Sequence, residues 1–133
     1  MTDTMQNVHE TAASELIDRY LAAWNETDAA ARRELISSLW AADGVYTDPL
    51  ASVSGVDAFD QVIAGAREQF GGLQFVRGDV LDTHHNIARF TWELVTEPGA
   101  EPLVVGFDVA AVDSDNKITS VYGFIDKMPG VGE

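Results

Sequence analysis

The first half of the chain carries apolar residues at a helical spacing. Between residues 8 and 26 one apolar stripe recurs every four positions, formed by Val8, Ala12, Leu16, Tyr20 and Trp24. A second stripe, preceded by Asp28 as a capping residue, contains Ala31, Leu35, Leu39 and Trp40. A third stripe, after Ser54-Gly55, contains Phe59, Val62, Ile63, Ala66 and Phe70. This pattern predicts three amphipathic helices, the last of which ends at Gly71-Gly72.

After Gly72 the apolar residues alternate with polar ones, which is typical of β-strands. Four strands are predicted, over residues 73–81, 87–96, 103–112 and 117–127. A shorter strand, at residues 45–48, is expected between the second and third helices, after a break at residues 41–44. Because short turns join the long strands, these strands must pair antiparallel. The sequence therefore predicts an α+β fold in which three helices cover one face of an antiparallel sheet.

Length and charge limit the class of protein. The 133 residues fit a single domain, assigned to residues 1–133 with flexible ends at 1–7 and 129–133. The formal net charge of −14 disfavours phosphate backbones and anionic membranes, so neither a nucleic-acid nor a membrane partner is expected. The chain has no cysteine, which excludes disulfides, thiolate metal sites and cysteine nucleophiles. The first residues lack the basic and apolar segments of a signal peptide, so a cytoplasmic location is expected.

Four stretches resemble the SnoaL-like proteins and ketosteroid isomerases of the nuclear transport factor 2-like superfamily. Residues 39–49, Leu-Trp-Ala-Ala-Asp-Gly-Val-Tyr-Thr-Asp-Pro, resemble the sequence that follows the second helix in both groups. Val-Gly-Phe-Asp-Val (105–109), Asp-Asn-Lys-Ile (115–118) and Tyr-Gly-Phe-Ile-Asp (122–126) resemble the C-terminal half of SnoaL-like proteins. The resemblance implies a strongly bent antiparallel sheet wrapped round three N-terminal helices, cone-shaped and with one apolar pocket.

The resemblance also implies a set of catalytic residues. Ketosteroid isomerases carry a tyrosine in the first helix, within a stretch similar to residues 19–25, which points to Tyr20. Their catalytic base is an aspartate followed by proline, which matches Asp48. Their second, protonated aspartate stands nine residues before a lysine, as Asp108 does before Lys117. In such an enzyme Asp48 would move a proton next to a carbonyl, while Tyr20 and Asp108 would donate hydrogen bonds to the enolate oxygen.

Each of these three residues also has a structural interpretation. Tyr20 lies in the middle of an amphipathic stripe, where a core tyrosine is common. Asp48, followed by proline, could simply open a turn. Asp108 has only apolar neighbours on its strand face, so a buried carboxyl there must be paired or neutral. A hydrogen bond to a neighbouring loop would satisfy it without any catalytic role.

Three functions stay open on this basis. The first is a cofactor-free isomerase that acts on a small apolar carbonyl compound. The second is an aldol-type cyclase or dehydratase, for which Asp126 near the end of the last strand is an additional candidate acid. The third is a non-catalytic domain that binds a hydrophobic ligand or only dimerises. The isomerase requires the Asp108 carboxyl to face the cavity within hydrogen-bond distance of Tyr20, whereas a binding domain does not.

The pocket is expected between the first helix, the short strand and the inner faces of the long strands. The side chains assigned to substrate contact are Trp24, Trp40, Tyr46, Phe59, Ile63, Phe90, Trp92 and Val121. No cofactor or metal is expected, because His84-His85 falls in a predicted hairpin turn and the turn at 113–116 lacks the glycine and distal glutamate of a calcium loop. The resemblance implies a homodimer through the outer sheet face, which would include Thr91, Val105 and Tyr122.

Overall fold

The computed structural model describes residues 2–127, including the side chains of residues 12–79 and 81–127. Three helices come first along the chain: α1 (Thr2–Asn25), α2 (Ala29–Leu39) and α3 (Val56–Gln69). The strands are β1 (Trp40–Thr47), β2 (Ser52–Ser54), β3 (Gln74–His84), β4 (Ile87–Val95), β5 (Val104–Val112) and β6 (Ile118–Lys127). This order confirms the predicted α+β fold, with the helices preceding a meander of four long strands.

Helix α1 is longer than predicted. It begins at Thr2 instead of residue 8, so residues 2–7, expected as a flexible tail, are helical. Those residues contain neither proline nor glycine, and nothing in them stops the helix from extending towards its N-terminus. The other end predicted to be flexible, residues 129–133, lies outside the described residues.

Helix α2 begins as predicted, and its buried residues include Leu39 of the predicted stripe but also two that were not part of it. The Asp28 side chain caps it by accepting a hydrogen bond of 2.9 Å from the backbone N–H of Ala31. Its buried residues are Arg32, Ile36 and Leu39. The Arg32 guanidinium tolerates burial because its Nε lies 2.7 Å from Oδ1 of Asp60 on α3, so an ion pair ties the two helices together.

The sheet has six strands in the order β2-β1-β6-β5-β4-β3. Strands β3 to β6 pair antiparallel, as predicted from their short connections. Strand β1, however, pairs parallel with β6, which makes the whole sheet mixed. Parallel pairing is possible here because the crossover through β2, α3 and three strands carries the chain from β1 back to the same edge.

The segment predicted as a break between α2 and the first strand is itself part of β1. Residues 41–44 continue directly from α2 into the strand, and the register with β6 shifts between Trp40 and Val45. Gly44 lies against the Trp40 indole, where a Cβ would overlap the ring. The glycine therefore leaves the space that the Trp40 ring occupies beside the irregular strand.

The core fills the space between the three helices and the inner sheet face. Its largest fully buried side chains include Tyr20 on α1, Phe59 on α3 and Phe90 on β4. The outer face of β5 and β6 is less covered: Tyr122 and Phe124 are about half exposed. Within residues 2–127, no helix combines the length and apolar character that crossing a membrane requires.

Candidate active site

A cavity of about 320 Å³ opens between helices α1 and α3 on one side and the sheet on the other. Helix α1 contributes Tyr20, Leu21 and Trp24 to its wall, and α3 contributes a face that includes Gln61, Val62, Ala66 and Gln69. The turn after β1 and strands β3 to β6 complete it. None of the described lining residues is Lys, Arg or His. The cavity is therefore apolar and aromatic, with Asp48 and Asp108 as its ionisable carboxyl groups.

Asp108 lies on the inner face of β5 and is only 4% exposed. Its Oδ2 accepts a hydrogen bond of 3.3 Å from the Tyr20 hydroxyl, and its Oδ1 accepts one of 3.0 Å from Nε1 of Trp92. Cross-strand pairing places Phe90 on one side of Asp108 and Gly123 on the other. The carboxyl thus faces the cavity within hydrogen-bond distance of Tyr20, which is the geometry that the isomerase hypothesis requires.

Burial makes Asp108 unusually hard to ionise. Desolvation raises the pKa of its carboxyl from 3.8 to about 7, the hydrogen bonds from Trp92 and Tyr20 oppose that increase, and the charge of Asp48 adds to it. Burial and the neighbouring Asp108 charge likewise raise the pKa of Tyr20 well above its ordinary value. Near neutral pH Tyr20 is therefore a hydrogen-bond donor, and Asp108 is divided between a neutral acid and a carboxylate.

Asp48 is held at the cavity wall by the turn that follows β1. Its Oδ2 accepts a hydrogen bond of 2.7 Å from the Tyr46 hydroxyl. Its Oδ1 accepts two more, each of 2.8 Å, from the backbone N–H groups of Leu50 and Ala51. Burial, followed by the charges of Asp108 and Asp48, raises the pKa of Tyr46, which keeps its hydroxyl protonated as a donor. The predicted Asp-Pro turn exists, and it fixes the carboxylate in place.

Gly123 on β6 brings the two aspartates to one site. A Cβ at this position would lie 2.7 Å from Oδ1 of Asp108 and 3.6 Å from Cβ of Asp48. Both side chains therefore flank the space that a larger residue would fill. The result is one carboxylate that can accept a proton, close to two groups, Tyr20 and neutral Asp108, that can donate hydrogen bonds.

The structure divides the residues that were assigned to substrate contact into two groups. Trp24, Tyr46 and Trp92 line the cavity. Five others do not line it and are 0 to 2% exposed within the core: Trp40, Phe59, Ile63, Phe90 and Val121. Their assignment to the wall is corrected, because they pack against one another beneath it, as the Trp40 and Phe59 rings do at a centroid distance of 4.1 Å. Asp126, the additional acid considered for a cyclase, is exposed and does not line the cavity.

Other features that sequence reasoning singled out lie elsewhere. His84 and His85 are exposed at the end of the β3–β4 hairpin. Asp113 accepts hydrogen bonds from the backbone N–H groups of Asp115 and Lys117, as a turn residue does. Across the described part of the chain, no three His, Asp or Glu side chains converge in a way that could hold a metal ion.

Sequence reasoning missed two contributors to the site. Trp92 was expected only as part of the wall, but its indole N–H contacts Asp108 directly. Gly123 was not considered, although it gives the Asp108 carboxyl its space. The first contact follows from the β4–β5 register, which places Trp92 diagonally from Asp108 on the inner face and which the sequence pattern does not specify.

Comparison with known families matches residues 17–121 to the SnoaL-like domain. Among solved structures, a presumed isomerase of the SnoaL-like family from Agrobacterium tumefaciens strain C58 is 36% identical, over 87% of this chain and 98% of that chain, with a TM-score of 0.81. An NTF2-like protein of unknown function from Exiguobacterium sp. 255-15 is 20% identical, over 84% and 98%, with a TM-score of 0.66. A presumed SnoaL-like polyketide cyclase from Jannaschia sp. CCS1 is 16% identical, over 88% and 87%, with a TM-score of 0.71.

The last two similarities, at or below 20% identity, show the fold alone. Comparison with curated proteins gives no match. The domain match covers more than half of the described residues, and the Agrobacterium protein is similar over nearly its whole length. The chain therefore belongs to the SnoaL-like family.

Proposed function

We propose that this protein is a cofactor-free enzyme of the isomerase or cyclase type that abstracts a proton next to the carbonyl group of a small molecule. The observation that carries this proposal is the arrangement of Tyr20 and Asp108 as adjacent hydrogen-bonding groups in the same apolar cavity as Asp48. The presumed isomerase of the SnoaL-like family, at 36% identity, supports the same general type of reaction.

In the proposed reaction, Asp48 is the base. The substrate's carbonyl oxygen accepts hydrogen bonds from the Tyr20 hydroxyl and from the neutral Asp108 carboxyl. Asp48 then removes the proton from the adjacent carbon, and the C–H electron pair moves to form the enolate, whose charge both donors stabilise. Return of the same proton from Asp48 to a different carbon of the conjugated system completes an isomerisation, with no oxidant, reductant or metal consumed.

An aldol-type cyclisation would begin with the same step. In that case the enolate carbon attacks a second carbonyl group of the same molecule, a carbon–carbon bond forms, and the new alkoxide takes up a proton. Loss of water from the product would make the reaction a dehydration as well. The aldol-type reaction and the isomerisation use the same proposed base and the same proposed oxyanion donors. Which of the two reactions takes place therefore depends on the substrate.

Size and charge restrict the substrate. A cavity of about 320 Å³ is at the small end of the range for ligand pockets, which favours a compound of one or two rings. Because its described lining has two carboxyl groups and no cationic side chain, a substrate that carries a carboxylate or phosphate at the buried end would be repelled. The expected substrate is a neutral, mainly apolar carbonyl compound.

We also infer that the protein forms a homodimer through the outer sheet face. Tyr122 and Phe124 are 48% and 52% exposed there, and Phe124 stacks on Phe107 of β5 at a centroid distance of 5.0 Å. The two exposed rings of β6, with the partly buried Phe107 ring of β5 beside them, form an apolar patch of the kind that protein interfaces cover. The molar mass in solution, by light scattering, tests this for the wild type and for Phe124→Ser, which should shift the dimer towards a monomer.

Binding of enolate mimics tests the oxyanion site without knowledge of the substrate. Phenols and naphthols place a hydroxyl or oxyanion where the enolate oxygen would lie, so they should bind the wild type and quench tryptophan fluorescence. Tyr20→Phe and Asp108→Asn should each weaken binding by about tenfold or more, which corresponds to one strong hydrogen bond. Asp113→Asn, at an exposed aspartate that does not line the cavity, is the matched control and should change the affinity little. If the affinity for these phenols and naphthols is the same in both site variants as in the wild type, the oxyanion site is absent and the non-catalytic binding domain is the function that stays open.

A further inference from the structure

Trp92 is fixed in one orientation beside the candidate acid. Its indole lies over Gly106 of β5, where a Cβ would overlap the six-membered ring. The Phe75 ring packs against it at a centroid distance of 5.7 Å and an interplanar angle of 56°. In this orientation Nε1 lies 3.0 Å from Oδ1 of Asp108. The glycine and the neighbouring ring thus aim a hydrogen-bond donor at one particular carboxyl oxygen.

The indole N–H can donate a hydrogen bond but cannot accept one. Oδ1 of Asp108 must therefore act as an acceptor whether the carboxyl is charged or neutral. When Asp108 takes up a proton, a proton on Oδ1 would turn that oxygen into a hydroxyl, which is a weaker acceptor than a carbonyl oxygen, and would weaken the indole hydrogen bond. A proton on Oδ2 keeps the bond, and Oδ2 is the oxygen 3.3 Å from the Tyr20 hydroxyl.

We propose that Trp92 is a positioning residue that keeps the acid proton of Asp108 on Oδ2, beside the Tyr20 hydroxyl, so that the two donors converge on one substrate oxygen. This inference rests on the proposed function, in which neutral Asp108 donates to the enolate. Trp92 itself would not contact the reacting atoms in this role. It would act through Asp108, by deciding which of two chemically equivalent oxygens becomes the donor.

Among the described groups around Asp108, Trp92 is the one that distinguishes the two carboxyl oxygens as sites for the proton. The titratable side chains that face the carboxyl are Tyr20 from α1, Tyr46 from β1 and Asp48 from the turn after β1. Strand β6 contributes Gly123, which has no side chain. Tyr20 can either donate or accept, so it does not distinguish the two protonation sites, and Asp48 adds only a charge. Among the described side chains hydrogen-bonded to Asp108, the indole is thus the one with a fixed direction.

Infrared spectroscopy of the neutral acid tests which oxygen carries the proton. Below pH 6 the C=O stretch of Asp108 can be isolated as the difference between wild type and Asp108→Asn. With the proton on Oδ2, the carbonyl oxygen is Oδ1, and its stretch is lowered by the indole hydrogen bond. Trp92→Phe should therefore move the band to higher frequency. A band that stays in place would overturn the proposal, because the carbonyl oxygen would then not be the one that faces Trp92.

Nuclear magnetic resonance gives an independent readout and controls for packing. The indole N–H resonance of Trp92, identified by its loss in Trp92→Phe, should shift with the ionisation of Asp108 and become independent of pH in Asp108→Asn.

Trp92→Phe should also raise the pH midpoint of the Asp108 carboxyl carbon, since one hydrogen bond to the carboxylate is lost. Phe75→Leu loosens the packing of the Trp92 ring but keeps its N–H, so it should move that midpoint clearly less than Trp92→Phe does. Equal shifts in both variants would mean a packing role only. None of these measurements needs a ligand, so failure of enolate mimics to bind would count against the proposed function alone.

Discussion

Gly123 lies directly opposite Asp108 across the β5–β6 pair, and its missing side chain leaves the space that the Asp108 carboxyl occupies. A Cβ at Gly123 would approach Oδ1 to 2.7 Å, closer than real Cβ atoms come to a neighbour. The carboxyl is held by Tyr20 and Trp92 on its other sides. The position of the candidate acid therefore depends on a residue that has no functional group of its own.

Gly123→Ala should displace the acid without unfolding the protein. Forcing a methyl group into a packed site costs about 1–3 kcal/mol of stability, and the displaced carboxyl should weaken naphthol binding by about tenfold or more. Gly65→Ala is the control for stability alone: that glycine lies in α3 at the cavity wall with nothing within 4 Å of an added Cβ, so the change should raise stability by about 0.5–1 kcal/mol. Urea denaturation and fluorescence titration measure both effects. Unchanged naphthol affinity in Gly123→Ala would argue against the inferred geometry.

Asp108→Asn should change how stability depends on pH. The pKa of Asp108 is about 7 when folded and 3.8 when exposed, so the folded state binds the proton more tightly between these values. The contribution of this carboxyl to stability is therefore present at low pH and is lost as the pH rises from about 4 to about 7. Asparagine does not ionise and avoids that loss. The stability of the variant relative to wild type should rise by about 2–4 kcal/mol across this interval.

Denaturant unfolding at about pH 4.5 and about pH 8 measures this difference. Asp113→Asn is a matched control, because that aspartate is exposed in a turn, away from the cavity. A stability difference between Asp108→Asn and wild type that does not vary with pH would show that the Asp108 carboxyl ionises normally in the folded protein.

Tyr46→Phe tests the positioning of the proposed base. The substitution removes the 2.7 Å hydrogen bond to Oδ2 of Asp48 but leaves the two backbone bonds to Oδ1. Asp48 should then rotate more freely, and the rate of proton abstraction should fall by about 10–100-fold, because catalysis depends steeply on the orientation of the base. The KM should change much less than the kcat. Equal activity in both proteins would mean that the Tyr46 hydroxyl does not orient the base.

The buried ion pair between α2 and α3 should matter for stability and not for chemistry. Removing one partner, as in Asp60→Ala, leaves the Arg32 guanidinium buried without its counter-ion and should cost about 3–5 kcal/mol. The neighbouring pair, Arg33 with Asp57, joins the same helices but is exposed, so Asp57→Ala should alter the unfolding midpoint little. Equal effects of the two substitutions on denaturant unfolding would show that burial of Arg32 does not set the difference.

Much of the candidate site could be predicted from sequence because it depends on local periodicity. Three local patterns each fix the direction of one side chain: the helical stripe for Tyr20, the Asp-Pro turn for Asp48 and the strand alternation for Asp108. The family resemblance then assigned the three residues to one site. The three residues do line one cavity. Their catalytic roles stay a proposal.

The errors arose where contacts join segments that are distant in sequence. Trp40, Phe59 and Val121 have the apolar character of wall residues, but whether such a side chain lines a cavity or packs beneath it depends on how the helices sit on the sheet. The parallel pairing of β1 with β6 likewise depends on the whole crossover between them. The hydrogen bond from Trp92 to Asp108 required the strand register, which the eight-residue loop between β4 and β5 does not specify.

The most direct test of the central claim is deuterium exchange at carbon next to a carbonyl. Small cyclic ketones that displace a bound naphthol would be incubated with the protein in heavy water, and loss of the α-proton signal followed by NMR. We expect the wild type to accelerate exchange over buffer, and Asp48→Asn to reduce that acceleration by at least about 100-fold while ketone binding is retained. Ketones that occupy the cavity yet exchange no faster than in buffer, or exchange equally fast with Asp48→Asn, would contradict proton abstraction by Asp48.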